Sequence, residues 1–204
     1  MLARFAAAFF VLALAGAYGQ AEHLASGRFL VASRDLGDPN FAQTVILLVR
    51  YSGEDGAVGL VVNRRTDVAL SRVFADLKEA KSRTDPVYIG GPVDPASVLA
   101  LLKSASKPGD AQRVFGDIYL IASKETLQKT LATGAEASTF HAYVGYAGWG
   151  PGQLEHEVEL GAWHVMPGDA PTVFHDDPES VWPRLIRRTE TQIASVATYT
   201  PRFR

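Results

Sequence analysis

The residues of this chain whose type and spacing suit chemistry fall into three short stretches: "LGDPNF" with Asp38 and Asn40, "VVNR" with Asn63 and Arg64, and "GYAGWGPGQLEHE" with Trp149 and Glu155. Asp38 or Glu155 would serve as a general base and Arg64 would hold an anionic group, the parts of an acid–base enzyme. With no proton to move, Asn40, Asn63, Arg64, Trp149 and Glu155 instead describe a polar cleft for a small ligand or a partner peptide. The structural reading of the same groups is that Asn63 holds a turn through its amide and Arg64 pairs with Asp38 or Glu155 at the strand ends.

The third stretch places Gly145, Gly148, Gly150 and Gly152 between a strand-like and a helix-like run, where backbone amides can cradle phosphate. The glycines do not spell G-x-G-x-x-G, and no Gly-Lys-Ser/Thr follows. Glu155 and Glu157 in the first helical turn would repel an anion. The expectation is that Pro151 opens the helix, while glycines on both sides of Trp149 take left-handed angles and let the ring pack inward.

Other motifs are fragments. His156-Glu157 begins H-E-x-x-H, but position 160 is Leu, so no metal is expected. Asp176 and Asp177 read as a helix cap before Pro178 rather than as a metal cluster. Ser104 to Lys107 matches a bare Ser-x-x-Lys, yet it runs into Pro108-Gly109 in a loop and lacks its companion motifs. No Gly-x-Ser-x-Gly elbow is present, and nothing calls for a cofactor.

The elements that must position these residues alternate strands with helices. "GRFLVAS", "TVILLVRY" and "AVGLVVN" read as strands, the last two as a hairpin at the centre of a sheet joined by "SGEDG". Leu70, Val73, Phe74 and Leu77 predict an amphipathic helix over "ALSRVFADLKEAK". "PVYIGGPV" and "DIYLIAS" are short strands; Ser123 caps the helix "KETLQKTLA" and Gly134 stops it. "TFHAYVGYAG" and "AWHVMPG" are strands around the helix "QLEHEVEL", and Pro178 opens a last helix in whose first turn Pro183 must fall. The pattern is an α+β or mixed α/β fold around a mixed sheet in a single compact domain, not a doubly wound parallel sheet.

The 204 residues are 47% hydrophobic and contain no cysteine, so there is no disulfide framework and no thiolate metal site. Residues 1–21 have a secretory layout: Arg4, an apolar run from Phe5 to Ala17, and small residues at Ala17 and Gly19. The run is shorter than the roughly 20 residues that span a bilayer, so cleavage near Gly19 or Ala21 is expected, with no permanent membrane span and residues 22–204 as the mature domain in the periplasm or outside the cell; the alternatives are a retained anchor, or a start codon placed too early and a cytoplasmic protein. Removal of residues 1–19 takes one arginine and no acid, leaving 19 basic and 22 acidic residues. That balance gives no help to nucleic-acid binding, so no nucleic-acid partner is expected.

Five blocks in order, "GRFLVAS" with "LGDPNFAQTVILL", "GAVGLVVNR", "VYIGGPV" and "YVGYAGWGPGQLEHEVELGAWHV", resemble the YqgE/AlgH family of bacterial proteins over roughly residues 26 to 188. The resemblance implies a mostly antiparallel mixed sheet, partly closed or bifurcated, surrounded by helices. It implies no reaction; the family label of transcriptional regulator comes from a link with alginate production. Its blocks map onto Asp38, Pro39, Asn40 and Phe41, onto Gly59, Asn63 and Arg64, onto Gly90, Gly91 and Pro92, and onto Gly145, Gly148, Trp149, Gly152, Gln153, Leu154 and Glu155. Two features depart from the pattern: Arg65 stands where the family usually has proline, and family members usually begin near the first block and look cytosolic. The expectation is a non-catalytic binding module, with the enzyme and the regulator as alternatives.

Overall fold

A computed structural model describes residues 23–198. The signal-like segment 1–21, with its expected cleavage site, lies outside the described residues. Val45–Ser52 (β2) shows why the sheet forms where it does: the run Val45 to Val49 is wholly buried, because branched aliphatic residues on both faces leave no side for water. It pairs antiparallel with Arg28–Ala32 (β1) on one side and with Gly56–Val61 (β3) on the other, the latter through the expected hairpin. Trp163–Pro167 (β10) closes this half against β1.

The second half contains Arg65–Ala69 (β4), Pro86–Ile89 (β5), Val93–Lys103 (β6), Gln112–Phe115 (β7) and Ile118–Ile121 (β8). Phe140–Trp149 (β9) joins the halves. Its first part pairs antiparallel with β6 and parallel with β5, while Ala147 to Trp149 pair with β3, so the sheet bifurcates along one strand. The continuous order is β10-β1-β2-β3-β9-β6-β8-β7, with β4 and β5 branching from β9. The sheet curls until Phe115 of β7 lies against Gly27, and Val114 and Ile118 join the core of the first half. The fold is α+β, a single domain with a mostly antiparallel curled sheet and, among the described residues, five α-helices.

The helices are Leu70–Val73 (α1), Lys124–Ala132 (α2), Gln153–Glu159 (α3), Ala170–Val173 (α4) and Val181–Thr198 (α5). Ser123 caps α2 through Thr126 N, as expected. Three expectations are corrected. The amphipathic helix over 69–81 is broken: α1 ends at Val73, Leu77 is extended, and only a 3₁₀ turn follows at Lys78–Ala80. Its first amides donate to Asp85 and Arg83 rather than up a helix, which swings Leu77 and Ala80 into the second core with Leu70. Strands β4, β6 and β7 stand where no strand was expected; β6 carries Pro95 inside a wide irregularity between Val93 and Val98. Asp177 sits at the N-cap position before Pro178 but makes no side-chain cap, and its own N–H donates to Nδ1 of His175.

Candidate functional site

The loop between β1 and β2 is the first block of candidate residues, and two side chains from the end of β3 tie it down. Arg64 donates through Nη1 to the carbonyl of Asn40 at 2.5 Å and through Nη2 to the carbonyls of Pro39 and Ala42, each at 3.2 Å. Asn63 is buried; its Oδ1 accepts the N–H of Val45 at 2.8 Å and its Nδ2 donates to the carbonyl of Gln43 at 3.0 Å. That grip holds Gln43 at a φ of 58°, a left-handed angle that a non-glycine residue adopts only when its surroundings fix it. Asp38 accepts the N–H of Asn40 at 2.8 Å, a local turn at the exposed tip.

Arg64 therefore pairs with neither Asp38 nor Glu155 through a salt bridge. Its bonds go to backbone carbonyls, burial pulls its pKa below the ordinary guanidinium value, and the charge of Asp38 pushes the other way. Glu155, on α3, accepts the Tyr51 hydroxyl at 2.7 Å, and burial followed by this bond pushes Tyr51 up to about 12. The structure thus gathers Asp38, Asn40, Asn63 and Arg64 around one loop and gives Glu155 a separate partner.

Trp149 joins the loop from beneath. Its indole is buried, with 6% exposed, and stacks on Phe41 of the loop at 6.2 Å; Trp163 meets both rings edge-on at 5.8 and 6.2 Å. Glu157 closes the cluster, since one carboxylate oxygen accepts the Nε1–H of Trp149 at 2.9 Å and of Trp163 at 2.8 Å. Gln153 donates to the other oxygen at 3.0 Å and accepts the N–H of Gly150 at 3.1 Å. The ring packs inward as expected, but the backbone reason is different: Gly145 and Gly152 are left-handed, Gly148 and Gly150 are not, and α3 starts at Gln153 after the Gly152 cap rather than at Pro151. The sequence marks Glu157 as part of a failed zinc motif and as a first-turn acid, although of these two acids Glu155 alone lies in the first turn; its i, i+4 partner Gln153 and two nearby tryptophans were the signal for its role.

Beside the strap lies a cleft of about 480 Å³, walled by Gln43, Asn63 and Arg64 on one side and by Glu179, Trp182 and Pro183 on the other. Of the residues expected to share a polar cleft, Asn63 and Arg64 line it, while Asn40, Trp149 and Glu155 do not, and neither does Asp38. Trp182 is fixed by its Nε1–H to the carbonyl of Ala32 at 2.8 Å, so this wall is anchored to β1. Among the described residues no group of three or more His, Cys, Asp or Glu is placed to hold a metal ion. Ser104 turns its hydroxyl to the carbonyl of Ser106 in a loop, with no amine brought over it. No helix among the described residues is long and apolar enough to cross a membrane.

Comparison with known proteins agrees with this architecture. A family model described as AlgH-like, DUF179, matches residues 29–194. A UPF0301 protein of Streptomyces avermitilis is 38% identical over 186 residues, covering 85% of this chain and 91% of the relative. Another, SCO2948 of Streptomyces coelicolor, is 39% identical with the same coverage. Among solved structures, AlgH of Pseudomonas aeruginosa is 30% identical with a TM-score of 0.65, covering 88% of this chain and 95% of that one. Protein DIP2367 of Corynebacterium diphtheriae is 26% identical with a TM-score of 0.69, covering 81% and 87%. The chain belongs to the AlgH-like UPF0301 family.

Proposed function

We propose that this protein is a non-catalytic binding module whose cleft at Arg64 receives an anionic group of a small ligand or partner peptide. The observation that carries the reading is the state of the Arg64 guanidinium. Three of its five N–H donors are committed to carbonyls, no carboxylate forms an ion pair with it among the described residues, and two donors and a full charge remain beside the cleft. Glu179 on the opposite wall directs an anion to the Arg64 side. A general base has to reach the proton it removes, and the two candidate carboxylates lie outside the cleft, each with its own donor.

Titration of the ¹⁵N-labelled protein with acetate and with inorganic phosphate tests this. Saturable shifts at Gln43, Asn63 and Arg64, lost in Arg64→Gln, are expected. No saturable shift up to about 100 mM, an affinity below about 1.4 kcal/mol, contradicts it.

The cellular setting is part of the same proposal. The apolar run Phe5–Ala17 after Arg4 supports export, with residues 22–204 as the mature protein. N-terminal sequencing of the protein from its host is expected to begin near Gln20 or Glu22 in the periplasmic fraction, and an uncut chain in the cytosol contradicts it.

A further inference from the structure

Gly148 is a glycine that the backbone does not need. Its φ is not left-handed, and a Cβ there would meet only the Tyr146 ring at 3.4 Å and Val93 at 3.8 Å, ordinary contact distances. Gly90, Gly91 and Gly145 differ, since a Cβ on any of them would collide with backbone where β9 crosses the Gly-Gly turn. What the missing side chain at 148 does is open a floor.

The register puts Arg50, Val58 and Gly148 in one row across β2, β3 and β9, on the face opposite the Trp149 indole, with Tyr146 two residues along the same face and paired to Val93. These residues line a trough of about 570 Å³ whose rim also carries Asp55. The size lies within the range of small-molecule sites. Its walls are apolar and in contact with water: Val58 and Tyr146 are half-buried and Val93 is 37% exposed. Within the described protein neither the Arg50 guanidinium, the Asp55 carboxylate nor the Tyr146 hydroxyl has a hydrogen-bond or ion-pair partner.

We propose that this trough is a second binding site, for a zwitterionic small molecule with an apolar side chain, the class of free amino acids. The carboxylate faces Arg50, the ammonium faces Asp55, and the side chain lies over Gly148 between Val58, Val93 and Tyr146. Opposite charges on one rim set the class. A simple anion would meet Asp55 and a simple cation Arg50, whereas a zwitterion satisfies both and leaves its apolar part for the floor. Because the rim charges are solvated, each ion pair contributes modestly, so both the affinity and the preference for the zwitterion are modest.

The test is an NMR titration of the whole protein with L-phenylalanine, 3-phenylpropionate and 2-phenylethylamine. L-Phenylalanine is expected to give saturable shifts at Val58, Tyr146 and Gly148, with each single-charge analogue about threefold weaker. Arg50 is exposed, so Arg50→Gln keeps the fold and is expected to weaken L-phenylalanine by about the same factor. Gly148→Val is expected to abolish the shifts. The proposal is overturned by analogues that bind as well as the zwitterion, by wild-type binding in Arg50→Gln, or by no saturable shift with L-phenylalanine up to about 50 mM.

Discussion

Glu157 holds two indoles with one oxygen, and its loss would leave two indole donors unpaired next to the core. Each unpaired buried donor costs about 1–3 kcal/mol, so Glu157→Ala is expected to lose about 2–6 kcal/mol in denaturant unfolding, and Glu157→Gln much less because an acceptor oxygen remains. Trp149→Ala is expected to cost about 3–5 kcal/mol, as deletion of a buried ring does. The two losses should add to less than their sum, since they remove the same contact. His141 gives a pH test. It is 8% exposed and stacked on Tyr88 at 4.4 Å, and burial lowers its pKa to about 4 against the charge of Asp85, the backbone of Ala137 and Val173, and the charge of Asp176, all of which push it up. A pKa lower in the folded than in the unfolded chain means the unfolded state binds more protons between about pH 6.5 and 4. The contribution is therefore present above pH 6.5 and lost as pH falls through that window, by about 3 kcal/mol in all, and His141→Phe should flatten this limb of the stability curve. Asn63 as a turn holder and Trp149 as a packed ring were legible from their places beside apolar runs. The partners of Arg64 were not, because three backbone carbonyls carry no residue-type signal.

Among the elements, the β2–β3 hairpin and helix α2 were legible because their patterns agree with their packing: continuous branched residues in one, a cap and a stop glycine in the other. The helix over 69–81 was misread because apolar spacing at i, i+3, i+4 and i+7 describes a buried stripe equally well when a short helix, an extended residue and a 3₁₀ turn supply it. Strand β4 was invisible because its exposed edge needs no apolar alternation, and β6 because Asp94 and Pro95 interrupt its apolar run. Two glycines separate conformation from crowding. Gly161 has a φ of 78° with open space around it, so Gly161→Ala is expected to cost about 1 kcal/mol. Gly145 combines a φ of 66° with a Cβ position against the carbonyl of Gly91, so Gly145→Ala is expected to cost more than about 3 kcal/mol or to prevent soluble expression. Equal losses at the two positions in parallel unfolding curves would contradict the crossing of β9 with the Gly-Gly turn.

For the whole molecule, β9 is the strand on which the two halves depend, since β3, β5 and β6 all pair with it. The bifurcated sheet came from the family resemblance, because pairing partners far apart in sequence leave no periodic trace. The family's blocks converge on two tasks here: glycines let β9 pass the Gly-Gly turn, and the Asp38–Phe41 loop is strapped over the tryptophans by Asn63 and Arg64. Of the residues that looked most chemical, Asn63 and Arg64 line the cleft, and Arg64 is both the strap of the loop and the charge of the cleft. Side-chain NMR of the Arg64 guanidinium tests that double role most directly. The account predicts separate, slowly rotating Nη resonances at neutral pH that survive Asp38→Asn, with an Nε resonance that moves on adding acetate. A single averaged Nη signal like that of exposed Arg50, with no more response to acetate than Arg50 shows, would contradict it.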